Sequence, residues 1–489
     1  MDALSSHNDL PAFPFNILPV ILAILCGWLL YNGRESVKHL LLRGCGDRVF
    51  YGVLLASCGL VAILFAGLDP YVNPWGGLDR YFARAVNIVT NGVYGYGDTP
   101  TALFPPGYSF LLLPSVVIFG DTRWAFFLTN LVMIIGFALV VREGLSKLGA
   151  ERESANLLTL LIVLLPNRLL SMILPFSDVP FSLIYGTTFL LLLIRMKSRA
   201  GMASALAIGV IGGIATLVRS NGLVTFIPLL IGVIASSSGD WKVRAREALA
   251  ATLVFLAVLA PWTIRNYAMF GRFVPVSLNA GVNIAIGNNP SHPVTHNSYI
   301  DSVWSESEKW KEVGGIGWNE AQRDSFFAVL GKEYIIEHPW DFLSRAAAKT
   351  ALTFRADSYT FGELYTYTNV RTAGYSMARK TGLPHWSGSI LDVTIGTIFT
   401  MLLLANNTVY YLLIALTLYF AVSRESISKS LRWVLLLLFG GILAMTIVTF
   451  GLPRYKEPLG IALALYSTAE FVVSHSRSLP LSRSPKGAT

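Results

Sequence analysis

The sequence predicts an all-α, polytopic membrane protein, and three observations carry that prediction. Of its 489 residues, 53% are hydrophobic and only 14% are charged. Many of the apolar residues gather in charge-free runs of roughly 15 to 20, long enough to cross a bilayer as helices. Lys and Arg gather in several short connections between those runs, the distribution that fixes orientation in a membrane.

Taken in order, the crossings fall at 15–31, 49–68, 107–119, 125–141, 179–194, 203–218, 222–235, 248–262, 401–422, 433–450 and 460–473. A further run, 157–176, is interrupted in its middle by Pro166-Asn167-Arg168. The total is about eleven to thirteen membrane segments.

Basic loops set the orientation. Loop 33–48 carries Arg34, Lys38, Arg43 and Arg48, and loop 195–202 carries Arg195, Lys197 and Arg199. Loop 237–247 has Lys242, Arg244 and Arg246, loop 423–432 has Arg424, Lys429 and Arg432, and the tail adds Arg477, Arg483 and Lys486. All five are cytoplasmic together, which leaves 68–105, 219–221, 263–400 and 451–459 outside. The net charge of +9 is therefore an orientation signal, and no nucleic-acid partner is expected.

Asp79 and Asp178 both face outward only if one of the three apolar runs between them fails to cross. Were the Pro166-broken run re-entrant, Arg142, Lys147 and Arg152 would lie outside. Failure of the short run 107–119 keeps them inside, as the charge rule prefers. That run is the preferred exception.

Cys26 and Cys58 sit in apolar runs and Cys45 in a basic loop, so no disulfide framework is expected outside. The first apolar run follows no Lys or Arg and precedes a second crossing, which predicts an extra helix with its N-terminus outside, not a cleaved leader. The chain divides into 1–262, the N-terminal transmembrane region with its first outer loop 68–105; 263–400, an extracytoplasmic loop with interfacial helices; 401–474, the C-terminal crossings; and 475–489, a basic cytoplasmic tail. Within 263–400, helical spacing runs over 319–338, and 340–354 has an interfacial amphipathic pattern.

The most informative stretch is Pro261-Trp262-Thr263-Ile264-Arg265-Asn266-Tyr267, where an apolar helix is expected to stop and an Arg-Asn pair opens the long outer loop. The first outer loop carries Asp79, Tyr81, Ala83 and Ala85, then Asn91-Gly92-Val93-Tyr94 and Pro105-Pro106-Gly107-Tyr108. Ser177-Asp178, Val218-Arg219-Ser220-Asn221-Gly222 and Pro453-Arg454-Tyr455-Lys456-Glu457-Pro458 follow. Taken in chain order over roughly residues 69–470, the set resembles the GT-C superfamily of lipid-linked-sugar glycosyltransferases, specifically its protein-mannosyltransferase and aminoarabinose-transferase-like group.

The resemblance implies GT-C-type helices with a modest extracytoplasmic subdomain, in a bacterial cytoplasmic (inner) membrane with the active site on its outer, periplasmic face. It implies a polyprenyl-phosphate-linked sugar as donor and a hydroxyl of a glycolipid, glycan or protein as acceptor, with lipopolysaccharide among the envelope glycolipids, and inversion at the anomeric carbon. An acidic residue of the first outer loop is the catalytic base in such families, and arginines hold the donor phosphate. The chemistry needs those residue types: a carboxylate takes the acceptor's proton, and a cation stabilises the charge developing on the departing phosphate.

Asp79 is the first candidate for the base. The group's register would place its acid at Gly77, so Asp69 and Asp98 stay open as alternatives, and Asp79 also suits a helix N-cap. Asp178 matches the second outward acid and complements a helix dipole. Both carboxylates together could hold a divalent cation, although no ligand spacing demands a metal. Arg219 lies between two apolar runs, where an ionisable side chain is functional by default; snorkelling to the interface is the plain alternative. Arg265 is a further phosphate candidate, although an arginine there can also satisfy terminal carbonyls. Arg454 and Lys456 sit in a short outer loop against the positive-inside trend and also suit a phosphate, Arg454 first.

Tyr81, Asn266 and Tyr455 are candidates for the sugar or acceptor, with an interfacial aromatic belt as the plain reading of the tyrosines. His292, His296, His338 and His385 form no ligand pattern, and Gly281, Gly287, Gly314, Gly315 and Gly317 read as turns. A transporter or flippase for a lipid-linked or anionic substrate is the alternative, with Arg219 and Asp178 lining a pathway. A non-enzymatic envelope assembly protein is a third reading. A transporter should show paired broken helices in two related halves, and only one clear break, at Pro166, occurs.

Overall fold

The computed structural model describes residues 20–28, 32–68, 81–198, 201–289, 319–354, 375–377, 384–386, 401, 404–412, 414–415, 429–449 and 453–476. Asp79, with Asp69 and Gly77, and the glycines at 314, 315 and 317 lie outside the described residues. The described chain is dominated by helices, with two short antiparallel strand pairs, 95–96 with 99–100 and 375–377 with 384–386. Among the described residues five helices are long and apolar enough to cross a membrane: Asp47–Gly67, Arg123–Lys147, Asp178–Ser198, Trp241–Phe270 and Ser430–Val448. Met202–Val218 and Gly222–Ser236 are shorter apolar helices packed among them.

The bundle has two chemically different ends. At one, the Asp47 carboxylate accepts from the Arg152 guanidinium at 2.6–3.0 Å and from Asn156 Nδ2 at 2.9 Å, with Arg142 3.9 Å away. Lys197 donates to the carbonyl of Leu148, which precedes Arg152 in the chain by four residues, and Arg195 forms a buried ion pair with Glu247. Arg195 also donates to Ser236 Oγ, the Gly201 carbonyl and Ser204 Oγ. A buried charge is tolerable when it is ion-paired and its donors find acceptors in this way.

This basic end settles the parity question. Arg142 and Arg152 share Asp47, so they lie with loop 33–48, and the Pro166-broken stretch runs from that end to Asp178 at the other. Gly107 packs on the Leu217–Val218 backbone, while Phe65, far along its helix from Asp47, stacks on Phe127 at 4.3 Å. Helix Gly107–Phe119 therefore begins and ends at the end of the bundle away from Asp47. Its Tyr108 hydroxyl donates to Asn130, and its Ser115 accepts from Thr129. Residues about 10 Å apart along one axis thus meet neighbours on Arg123–Lys147, so the short helix lies across that helix.

The break at Pro166 leaves backbone groups without helical partners, and buried side chains satisfy them. Arg168 donates to the Ile162 carbonyl, and Asn130 Nδ2 donates to the carbonyls of Met172 and Leu174 at 3.1 and 3.3 Å. Close packing between Met202–Val218 and Trp241–Phe270 depends on small residues. A Cβ on Gly209 would stand 2.4 Å from the Ala251 carbonyl oxygen.

The expectation that a helix stops at Pro261-Trp262 is corrected. Helix Trp241–Phe270 continues past Pro261 for two more turns and ends where Gly271 takes φ 63°. Proline removes one hydrogen bond but does not force an end when later residues keep helical partners; the left-handed glycine supplies the stop. Gly281 and Gly287 are not turns either. Both belong to helix Ala280–Gly287, where a Cβ on Gly281 would meet the Asp324 carbonyl oxygen at 1.9 Å.

Beyond Gly271 lie helices Ala280–Gly287, Glu320–Glu337 and Pro339–Phe354. Asn319 and Gln322 close a capping box at the start of the second, and Asp324 accepts from the Gly281 and Val282 amides at the start of the first. Glu320 accepts from the Thr101 hydroxyl and from the Ala102 amide at 2.7 Å, tying this region to the end of loop 68–105. The expected amphipathic helix at 340–354 forms, and it runs beside Lys429–Val448, with Phe354 and Phe439 rings 4.9 Å apart.

In a background without other cysteines, Lys147→Cys and Lys242→Cys are expected to react with an impermeant maleimide from one side of the membrane and Phe273→Cys from the other. Labelling of Lys147→Cys from the same side as Phe273→Cys would contradict the two-ended arrangement.

Candidate active site

At the end away from Asp47, two helix termini and one turn meet. Asp178 is the first residue of helix Asp178–Ser198, where a carboxylate is favoured by the helix dipole. Arg219 terminates Met202–Val218 in an extended conformation, φ −153° and ψ 127°, and its carbonyl accepts from the Gly222 amide at 2.9 Å. The tight turn needs a residue without a side chain at 222, since a Cβ there would stand 2.3 Å from Thr216 Oγ1. So fixed, Arg219 forms an ion pair with Asp178, and the two side chains keep 11% and 14% of their exposure.

Two tyrosines flank the pair. The Arg219 guanidinium carbon lies 5.7 Å from the centroid of the Tyr455 ring. Tyr455 lies on the short 3-10 turn Pro453–Lys456 and is buried against Ile286, Val282 and Met445. On the other side, Ser177 Oγ donates to the Tyr81 hydroxyl at 3.1 Å. Tyr81 is itself held by Ser109, which donates to its carbonyl at 2.8 Å. Asp178, Arg219, Tyr455 and Tyr81 are thus brought to one place, and Asp79 precedes Tyr81 by two residues in the chain.

The remaining candidates are placed differently. Lys456 is buried, with its Nζ 4.4 Å above the Tyr410 ring. The side chain of Arg454 lies outside the described residues. Arg265 donates to the carbonyls of Thr101 at 2.8 Å and Tyr94 at 3.3 Å and lies over the Trp262 ring at 4.7 Å. Asn266, fully buried, donates to the Val274 carbonyl at 3.1 Å. Both residues join the helix to neighbouring backbone segments, and nothing in these contacts unites them with Asp178 and Arg219.

Three further side chains, none of them among the candidate site residues of the sequence, stand out. Ser177 is one, visible only as the neighbour of Asp178. Arg84 is another: fully buried, it donates to the Tyr96 hydroxyl at 2.7 Å and lies 4.5 and 5.0 Å from the Tyr96 and Phe104 rings. The aromatic spacing of 94, 96 and 104 around one arginine was a legible signal. Lys349 is the third. It is buried, and its Nζ donates to Asn288 Oδ1 and to the Ile447 carbonyl, each at 2.9 Å. Burial, with Arg345 nearby, pulls its pKa down to about 7. A neutral amine has two N–H donors, and two acceptors are present.

Among the described residues no group of three His, Cys, Asp or Glu side chains is arranged to hold a metal ion. Asp178, one of the two carboxylates considered for a divalent cation, is paired with Arg219.

No family model matches the sequence, and no curated protein matches it. Among solved structures, the chain is similar to ArnT from Cupriavidus metallidurans bound to undecaprenyl phosphate, at 15% identity over 88% of this chain and 79% of that one, with a TM-score of 0.39. The apo state of the same protein is similar at 15% identity, 87% and 77% coverage and a TM-score of 0.34. The oligosaccharyltransferase of Archaeoglobus fulgidus, in complex with zinc and sulfate, is similar at 16% identity with a TM-score of 0.44. That likeness covers 87% of this chain and 50% of the archaeal one.

Lys349 supplies a pH test of this region. Its pKa falls from 10.5 to about 7 on folding, so between those values the unfolded chain holds a proton that the folded chain lacks. Stability therefore rises with pH across that window. The thermal midpoint of wild type relative to Lys349→Met is expected to climb from pH 7 to 10; a difference that stays flat would contradict a neutral buried amine.

Proposed function

We propose that the chain is a membrane glycosyltransferase that moves a sugar from a polyprenyl-phosphate donor to a hydroxyl of a cell-envelope glycolipid or glycan. The reaction takes place at the outer face of the cytoplasmic membrane and inverts the anomeric carbon. The observation that carries the proposal is the Asp178–Arg219 pair beside Tyr455 and Tyr81, at the end of the bundle away from the basic loops. Support also comes from the order of motifs in the sequence.

The donor's phosphate binds Arg219, whose planar guanidinium offers paired N–H donors to phosphate oxygens. Asp178 orients that guanidinium. Lys456 and Arg454, on the same turn as Tyr455, add positive charge for the donor. Asp79 accepts the proton of the acceptor hydroxyl as its oxygen attacks the anomeric carbon. The new C–O bond forms, the bond from the anomeric carbon to the phosphate oxygen breaks, and its electron pair leaves with the polyprenyl phosphate. Arg219 stabilises that developing charge in surroundings largely closed to water, where a fixed cation is most effective. Tyr81 and Tyr455 flank the sugar. Arg265 and Asn266 serve by holding the outer loops in place.

With purified protein in liposomes, a polyprenyl-phosphate sugar and an envelope glycolipid, wild type is expected to transfer sugar. Asp79→Asn should lower kcat by about 10²–10⁴-fold while remaining folded. Arg219→Met should raise the KM for donor as well as lower kcat. Full activity in Asp79→Asn would refute its role as base, and full activity in Arg219→Met would remove the phosphate site on which the proposal stands.

A further inference from the structure

We propose that Ser220, Ser277 and Asn279 form a hydroxyl-reading subsite beside Arg219 that binds the glycosyl group of the donor. The inference rests on the transferase reading and adds to it a means of recognising the sugar.

The segment after Gly271 alternates strictly. Val274, Val276 and Leu278 are buried, whereas Pro275, Ser277 and Asn279 on the opposite face are part-exposed. That register is locked from one side. Trp262 Nε1 donates to the Val276 carbonyl at 2.7 Å, Thr263 Oγ1 to the Pro275 carbonyl at 3.0 Å, and Asn266 Nδ2 to the Val274 carbonyl at 3.1 Å. The Leu278 amide donates to the Ala102 carbonyl at 2.7 Å. Three side chains of one helix thus grip three successive carbonyls. A one-residue slip would turn Ser277 into the core, so the grip determines which side chains stay outside.

On the free face, Ser277 reaches a residue 57 positions away: Ser220 and Ser277 hydroxyls lie 2.6 Å apart, and Ser277 donates to Asn279 Oδ1 at 3.1 Å. A serine hydroxyl has one proton. Ser277 gives its proton to Asn279, so the bond between the serines is donated by Ser220. The chain of bonds therefore has a direction, and its two ends differ. At one end the Ser220 oxygen keeps acceptor capacity; at the other the Asn279 amide nitrogen, which bonds no described residue, keeps its donors. A sugar hydroxyl both donates and accepts, so a pair of neighbouring hydroxyls matches the two ends. Ser220 follows Arg219 directly, on the tight turn 219–222, which places this ledge next to the proposed phosphate ligand.

The test separates the sugar from its carrier. Affinities of the full chain in nanodiscs are measured for a short-chain polyprenyl phosphate and for the same lipid carrying a hexose or an aminopentose. Wild type is expected to bind at least one glycosylated lipid more tightly than the bare phosphate. In Ser220→Ala/Asn279→Ala that gain should fall about five- to tenfold, while affinity for the bare phosphate stays within about twofold of wild type. Ser220→Thr, which keeps the hydroxyl, should retain the gain. An undiminished gain in the double variant, or no gain for any sugar in wild type, overturns the subsite even if the bare phosphate binds. If wild type binds neither the bare nor the glycosylated lipid, the transferase reading fails and the subsite with it.

Discussion

A cation at the mouth of an apolar helix hairpin has to be matched, and the pairing of Arg219 with Asp178 is the constraint around which this end of the molecule is built. Leaving an arginine unmatched among membrane helices costs at least about 2.5–3.5 kcal/mol on insertion scales. The match is made between two helix ends, so it also fixes where those helices stop. Tyr455 comes in over the guanidinium and Tyr81 meets Ser177, the residue before Asp178, so the loop 68–105 and the turn 453–456 converge on the same pair.

Helix Asp178–Ser198 carries an ion pair at each end: Asp178 with Arg219 at its start and Arg195 with Glu247 near its finish. Acid at the N-terminus and base at the C-terminus both agree with the helix dipole. The two pairs reach helices on either side of the glycine-lined contact between Met202–Val218 and Trp241–Phe270. Register along these helices is thereby set at both ends, while the apolar middle supplies close packing. The fourteen-residue stretch from Leu164 to Ser177, interrupted at Pro166, would leave carbonyls exposed in such a setting; Arg168 and Asn130 close them.

Much of this was legible in the chain. Apolar run lengths located the helices, basic loops placed Lys197 at one end, and the charge rule preferred the same end for Arg142 and Arg152 where parity left two choices open. Arg219 stood out because an ionisable residue between apolar runs needs a partner, and Asp178 because it matched a second outward acid and opened a helix. Arg265 and Asn266 were conspicuous for a different reason than their chemistry suggested: their donors meet outer-loop carbonyls, and an arginine that holds backbone looks in sequence like one that holds phosphate. The helix continuing past Pro261 was hidden because proline weakens one turn without deciding the next, and the stop came from Gly271. Ser220 and Ser277 could not be joined by any local rule, although the alternation of Val274, Val276 and Leu278 already marked Ser277 as facing away from the core. Arg195 and Glu247 had no signal beyond a charge in each of two basic loops.

The most direct measurement is the position of the phosphate in an experimentally determined structure of the protein with polyprenyl phosphate bound. The phosphate should lie within hydrogen-bonding distance of the Arg219 guanidinium, between Asp178 and Tyr455. A phosphate bound elsewhere, with the Asp178–Arg219 pair unchanged, would contradict the assignment of this pair as the centre of the site.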